Sequence, residues 1–183
     1  MKERNIALIG FRATGKSTVG KILAEKLGRI FIDMDQYLIA SAGREIACWV
    51  KLEGWDSFRK AESELLRTLI SRKGLVVATG GGIVLDPKNR RILNEHFFTA
   101  WLKASVETIF CRTSSDPGSC ATRPPLSDLP LRHEIEKVLS ERLPLYAGAA
   151  DLEIDTEQRT AEEIADRIAL GHNLVKKQEN DRK

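Results

Sequence analysis

With 183 residues, 42% of them hydrophobic, the chain is sized for one compact domain with a sizeable core and is too short for two independent domains of usual size. Its 29 Lys and Arg against 26 Asp and Glu leave a net charge of +3, which suits a small anionic ligand but falls short of the basic stripe that a nucleic-acid binder needs. No stretch approaches the ~20 apolar residues of a membrane span, and Cys48, Cys111 and Cys120 lack CxxC or Cys/His spacing, so a zinc site and a disulfide framework give way to a reducing cytoplasm.

Asn5 to Ile9 reads as a fully buried strand, and Val19, Ile22, Leu23 and Leu27 then recur at helical spacing up to Gly28, a C-terminal stop. Further apolar runs predict strands at Arg29 to Asp33, Gly74 to Ala78, Phe97 to Leu102 and Leu152 to Asp155. Helical patterns fall between them. Phe58, Leu65, Leu66 and Leu69 mark one, Ile135, Val138 and Leu139 another, and Ile164 with Ile168 the last, which opens on the capping-box pair Thr160 and Glu163. Alternation of this kind predicts a doubly wound parallel α/β sheet of five strands flanked by helices.

Two segments break the alternation. The chain between the second and third strands is longer than one crossover requires and predicts a helical insert, about 34–73; Thr113 to Pro130, polar and rich in Ser, Pro and Gly, predicts a mobile loop. Residues 1–170 then form a single domain, and 171–183, where periodicity fades, a frayed tail.

GFRATGKST, Gly10 to Thr18, satisfies GxxxxGK[ST] and lies between a buried strand and an amphipathic helix. Glycines at 10 and 15 let backbone N–H groups turn inward around phosphate oxygens, with Ala13, Thr14 and Thr18 completing the cradle at a helix N-terminus. Lys16 reaches the β- and γ-phosphates, and the Ser17 hydroxyl ligates Mg²⁺. A GTPase switch is set aside, because the chain carries neither DxxG nor NKxD. The metal also wants a carboxylate, yet GLVVATGGG ends on Thr79 and three glycines. Asp33 and Asp35, at the C-terminal end of the second strand, are the candidates, and i, i+2 spacing in extended chain predicts that both point the same way.

Taken in order, the phosphate loop, the DxD of Asp33 and Asp35, Phe58 with Arg59, Gly80 to Gly82, Arg123 with Pro124, and ERxPLY from Glu141 to Tyr146 resemble shikimate kinase, over about residues 5 to 170. The resemblance implies a P-loop, nucleoside-monophosphate-kinase-like fold with a substrate-binding insert and a mobile lid, and ATP- and Mg²⁺-dependent phosphorylation of the shikimate 3-hydroxyl in chorismate biosynthesis. It further implies that Asp33 holds the metal through water, that Asp35 contacts the shikimate hydroxyls, and that Arg59 and Arg142 grip its carboxylate. Gly80, Gly81 and Gly82 then border shikimate, Arg123 covers the ATP phosphates from the lid, and Arg159 lies by the adenine. Two departures stand out: Trp55, where the family often has Glu, and a long loop from Arg112 to Arg123 that carries Cys120.

The chemistry of the residues agrees with the resemblance. A small polyol acid calls for Arg forks on its carboxylate and short carboxylates on its hydroxyls. Glu62, three residues after Arg59 on one helix face, orients the guanidinium. Three consecutive glycines after a strand mark a place where backbone approaches something closely. Arg112 either assists at the phosphates or is solvated. Trp101 reads as core, and so do Trp49 and Trp55, with a pocket wall as their alternative; His96, His133 and His172 have no metal or triad spacing. Two rivals stay open at this stage: a gluconate or nucleoside-monophosphate kinase on the same fold, and a non-catalytic ATP-binding regulator. A monomer free of nucleic acid and membrane is the expected working form.

Overall fold

The structure, a computed structural model, describes residues 4–115, 124–127 and 129–181, with side chains as far as residue 175. Among the described residues the strands are β1 (Asn5–Ile9), β2 (Ile30–Asp33), β3 (Leu75–Ala78), β4 (Phe97–Lys103) and β5 (Leu152–Asp155), all parallel in the order β2-β3-β1-β4-β5. Every residue of the central β1 is buried, whereas the edge strands β2 and β5 are only partly so. That is why β1, β3 and β4 read as unbroken apolar runs: both of their faces are covered.

Alternate residues serve the two faces. Ala7, Ile9, Leu75, Val77, Phe97 and Trp101 pack under helices α3 (Ile46–Leu69), α4 (Pro87–His96) and α6 (Leu131–Ala149). Ile6, Leu8, Val76, Phe98, Ala100 and Leu102 pack against α1 (Lys16–Leu27) and α7 (Ala161–Asp181). Two shorter helices, α2 (Met34–Ala42) and α5 (Val106–Ser114), follow β2 and β4. The sheet is thus the middle of three layers. No helix among the described residues is long and apolar enough to cross a membrane.

Several local expectations hold. Gly28 ends α1 in the left-handed region at φ 61°, and Thr160 and Glu163 exchange the two hydrogen bonds of a capping box at 2.8 and 3.2 Å. Others need correction. The last helix does not fade at residue 170 but runs to Asp181, and His172 is buried edge-on against Phe98 with ring centroids 5.4 Å apart. The expected loop also starts too early: Thr113 is a buried residue of α5, held in helix by the Ser105 cap on the Thr108 N–H. Helix α4 has few apolar residues and no clear periodicity, and is set instead by the Asp86 cap, Pro87 at its first turn, and two buried residues, Leu93 and the hydrogen-bonded Asn89.

Asn5 shows how β1 is fixed in register. Buried at the start of the strand, it donates to the Leu69 and Arg72 carbonyls at 3.3 and 2.8 Å and accepts from the Leu75 N–H at 3.0 Å. It staples β1 to the end of α3 and the start of β3. Asn5→Ala removes these bonds and leaves buried backbone groups unpaired, which should cost about 2 to 4 kcal/mol. Urea unfolding should show a lower midpoint at unchanged slope.

Candidate active site

The C-terminal ends of β1, β2 and β3 lie side by side, so the loops that leave them share one edge of the sheet. The loop after β1 wraps through Gly10 (φ 140°), Ala13 (φ 61°) and Gly15 (φ 89°) into α1. Gly10 must lack a side chain, because a Cβ there would stand 2.5 Å from the Leu102 carbonyl oxygen. Ala13 holds a left-handed conformation at a cost of ~1 to 2 kcal/mol. Thr14 Oγ1 donates to the Phe11 carbonyl at 2.8 Å, and Thr18 follows in the exposed first turn of α1. Lys16 Nζ curls over the loop and donates to the carbonyls of Gly10 and Phe11 at 2.9 and 2.7 Å. Arg112, from α5, donates to the Ala13 carbonyl at 3.2 Å, which brings it to the loop.

Asp33 and Asp35 do not point the same way. Asp33 ends β2 and caps α2, its Oδ1 accepting from the N–H groups of Asp35 and Gln36 at 3.1 and 3.3 Å while its Oδ2 accepts from the Ser17 hydroxyl. Asp35 already belongs to the helix, which turns it away from Asp33 and buries it beside Gly80. The spacing rule for extended chain fails here because the chain begins to coil at Met34. The Ser17 hydroxyl and the Asp33 carboxylate are hard oxygen donors of the kind Mg²⁺ takes together with phosphate. No group of three or more His, Cys, Asp and Glu among the described residues could cage a metal by itself.

A second cleft opens beside the phosphate loop, lined by Asp35, Arg59, Glu62, Gly80, Gly81, Gly82 and Arg142 together with Arg12, Trp55 and Leu126. Arg59 projects from α3, pairs with Glu62 one turn on, and lies over the Trp55 ring at 4.8 Å. Trp55 therefore walls the cleft and, like Trp49, also packs edge-on against Phe58 in the core. The glycines make room for this pair. A Cβ at Gly80 would fall on Glu62 Oε1, and one at Gly82 on the Arg59 guanidinium. The Gly81 carbonyl accepts from Arg142 Nη1 at 3.1 Å and from the Tyr146 hydroxyl at 2.5 Å, and Trp101 stacks on Tyr146 from the core.

Burial dominates the electrostatics. It pushes the Glu62 carboxyl up to about 7, with the Arg59 charge opposing and the Asp35 charge adding. It also draws Arg142 below its usual range and raises Tyr146 to about 12. Arg159 stands apart at the end of β5, bonded to the Asp155 carbonyl at 2.7 Å on a separate surface pocket with Gln158 and Arg167. Arg123 lies outside the described residues. Sequence reasoning missed Arg12, which any residue could replace in GxxxxGK and whose significance appears only through its ion pair with Glu134, far along the chain.

The raised Glu62 pKa has a consequence for stability. A carboxyl whose folded pKa exceeds its unfolded value of 4.5 destabilises the fold progressively as pH rises from 4.5 to about 7, and by a constant amount above that. The full penalty is on the order of 3 kcal/mol. Urea unfolding of wild type and Glu62→Gln at several pH values should therefore show the wild type losing ground between pH 4.5 and 7 and the difference levelling off beyond. A constant difference across that window would contradict the assignment.

A family model for shikimate kinase matches residues 12–170. A shikimate kinase of Syntrophus aciditrophicus is 41% identical over 174 residues, covering 91% of this chain and 89% of its own length. Another, of Nitratidesulfovibrio vulgaris, is 45% identical over 145 residues, covering 79% and 82%. Among solved structures, shikimate kinase from Acinetobacter baumannii in complex with shikimate superposes with a TM-score of 0.85 at 37% identity, covering 91% of this chain and 90% of that one. A gluconokinase from Sinorhizobium meliloti, at 16% identity and a TM-score of 0.62, shares the fold. Phosphate loop, glycine-lined cleft and sequence kinship converge, and the chain belongs to the shikimate kinase family.

Proposed function

We propose that this kinase transfers the γ-phosphoryl group of ATP to the 3-hydroxyl of shikimate, giving shikimate 3-phosphate and ADP in chorismate biosynthesis. The observation that carries the reading is the pairing, in one cleft beside a phosphate loop, of two arginines, Arg59 and Arg142, with the buried carboxylate of Asp35. Guanidiniums suit the single carboxylate of a small polyol acid, and a short carboxylate suits its hydroxyls.

The loop from Gly10 to Thr18 holds the phosphates, with Lys16 leaving its carbonyl partners to meet the transferring group. Ser17 and Asp33 hold Mg²⁺, which when bound neutralises phosphate charge. Asp35 orients the acceptor hydroxyl and accepts its proton late in a loose transition state. Arg59 and Arg142 fix the carboxylate, Glu62 fixes Arg59, and backbone at Gly80, Gly81 and Gly82 borders the ring. Arg112 assists at the phosphate loop, Arg159 borders the adenine, and Arg123, assigned from its motif alone, supplies charge to the phosphates. The insert at 34–73 is the acceptor-binding part, 113–130 includes the lid, and the enzyme works as a cytoplasmic monomer.

Coupled ADP release over a panel of shikimate, gluconate, AMP and CMP tests the reading; turnover with a nucleotide or gluconate alone would overturn it. Arg59→Ala leaves a desolvated carboxylate without its partner, a loss of ~2 to 5 kcal/mol. That is about 30- to several-thousand-fold in kcat/KM for shikimate. Arg59→Lys should already hurt, and the KM for ATP should move much less. The two aspartates should fail differently: excess Mg²⁺ should rescue Asp33→Asn but not Asp35→Asn, and equal rescue of both would dissolve that division of labour.

A further inference from the structure

Arg12 and Glu134 are held together although one lies in the phosphate loop and the other in the first turn of α6. Both are withdrawn from water, with side-chain exposures of 11% and 2%. The carboxylate is shared between two parts of the molecule. Glu134 Oε1 accepts from Arg12 Nη2, while Oε2 accepts from the backbone N–H groups of Leu126 and Ser127 at 2.7 and 3.0 Å. Leu126 and Pro124 line the acceptor cleft, and so does Arg12 itself, two residues beyond Gly10 and four before Lys16. A single carboxylate thus joins one wall of the acceptor cleft to the loop that grips the nucleotide.

Such a buried, doubly committed carboxylate costs desolvation energy, which its bonds to Arg12 and to the Leu126 and Ser127 amides offset. Its connectivity supplies what packing does not. A ligand that seats against Leu126 moves the two N–H donors, hence Glu134, hence Arg12 and the loop; a nucleotide that settles the loop acts back along the same bonds. We propose that Glu134 is a positioning residue that, through Arg12, couples nucleotide binding to acceptor binding. Glu134 itself touches neither ligand.

The inference rests on ATP and shikimate being the two substrates, so shikimate-dependent ADP release by the wild type comes first. Its absence would sink the proposed function and this inference with it. Calorimetric titration then gives the Kd of shikimate with and without a non-hydrolysable ATP analogue and Mg²⁺, and the ratio is the coupling factor, which by linkage is the same in either order of addition. The wild type should give at least ~5-fold, the low end of measured couplings. Glu134→Gln, with its one amide oxygen kept for the Leu126 and Ser127 amides, turns its NH2 donor toward Arg12 and so loses the ion pair. Its coupling factor should fall to within about twofold of unity, while the Kd of the ATP analogue alone shifts less than about threefold.

Arg12→Met breaks the same link from the other side and leaves the bonds of Glu134 to the amides in place. It should lose the same coupling, and the double variant should lose no more than either single one, as expected of two groups acting through one contact. Should Glu134→Gln fail to fold, Arg12→Met carries the test. Shikimate turnover with a wild-type factor near one, an unchanged factor in both variants, or additive losses in the double variant would overturn the coupling role while leaving the proposed function standing.

Discussion

A carboxylate denied to water, that of Glu62, sets the form of the acceptor cleft. Burying an ionised carboxyl is expensive unless a cation answers it, and here the answer is Arg59, one helical turn away on the same face. The pair takes up the space that side chains at residues 80 and 82 would occupy, so any larger residue at either position in the loop after β3 would push Glu62 or Arg59 out of place. Gly81 serves differently, through a carbonyl that collects Arg142 and Tyr146. The triple glycine is therefore shaped first by the protein's own charged groups. A guanidinium clamped between Glu62 and the Trp55 ring has lost its rotamer freedom before any ligand arrives, which is what a two-point grip on a carboxylate requires.

Sheet order supplies the rest of the assembly. Because β3 lies between β2 and β1, the ends of all three strands converge, and Ser17, Asp33, Asp35 and Gly80 meet although they come from three separate crossovers. The onset of α2 at Met34 then separates two carboxylates that are neighbours in sequence. Asp33 stays with the Ser17 hydroxyl on the phosphate side, and Asp35 is carried under the acceptor cleft. Two residues at the start of a helix thus send two identical side chains to different partners, Asp33 to the Ser17 hydroxyl and Asp35 to the cleft beside Gly80.

What could be read from the sequence follows from how local the cause is. The strands were legible to within about a residue because each apolar run is buried on both faces or stopped by a charge or a glycine. The phosphate loop was legible because its physics demands particular residues at fixed spacing. Helix α4 was not, since a cap, a proline, a buried asparagine and a buried leucine hold it in place of a stripe. The extension of α7 past residue 170 depends on His172 finding Phe98 across the core, a contact that no window of sequence contains. The Asp33 and Asp35 geometry was misread by carrying strand spacing one residue too far, and the joining of Arg12 to Glu134 is a purely tertiary fact.

Much of the charge in the site is answered from within before it is filled. Lys16, Arg12, Arg59 and Arg142 stand among Asp33, Asp35, Glu62 and Glu134, and the partners that can be named are internal: Glu134 for Arg12, Glu62 for Arg59, and main-chain carbonyls for Lys16 and Arg142. The net charge of the whole chain, only +3, adds little long-range attraction for anions, so the cleft does not depend on it alone. It selects by geometry. An incoming carboxylate gains affinity only where it can share guanidinium donors that are already oriented, and an incoming phosphate only where Lys16 can exchange two carbonyls for it. Contacts made by such exchange replace contacts already present, and interactions that strengthen only as charge moves from donor to acceptor are the ones that can lower the barrier.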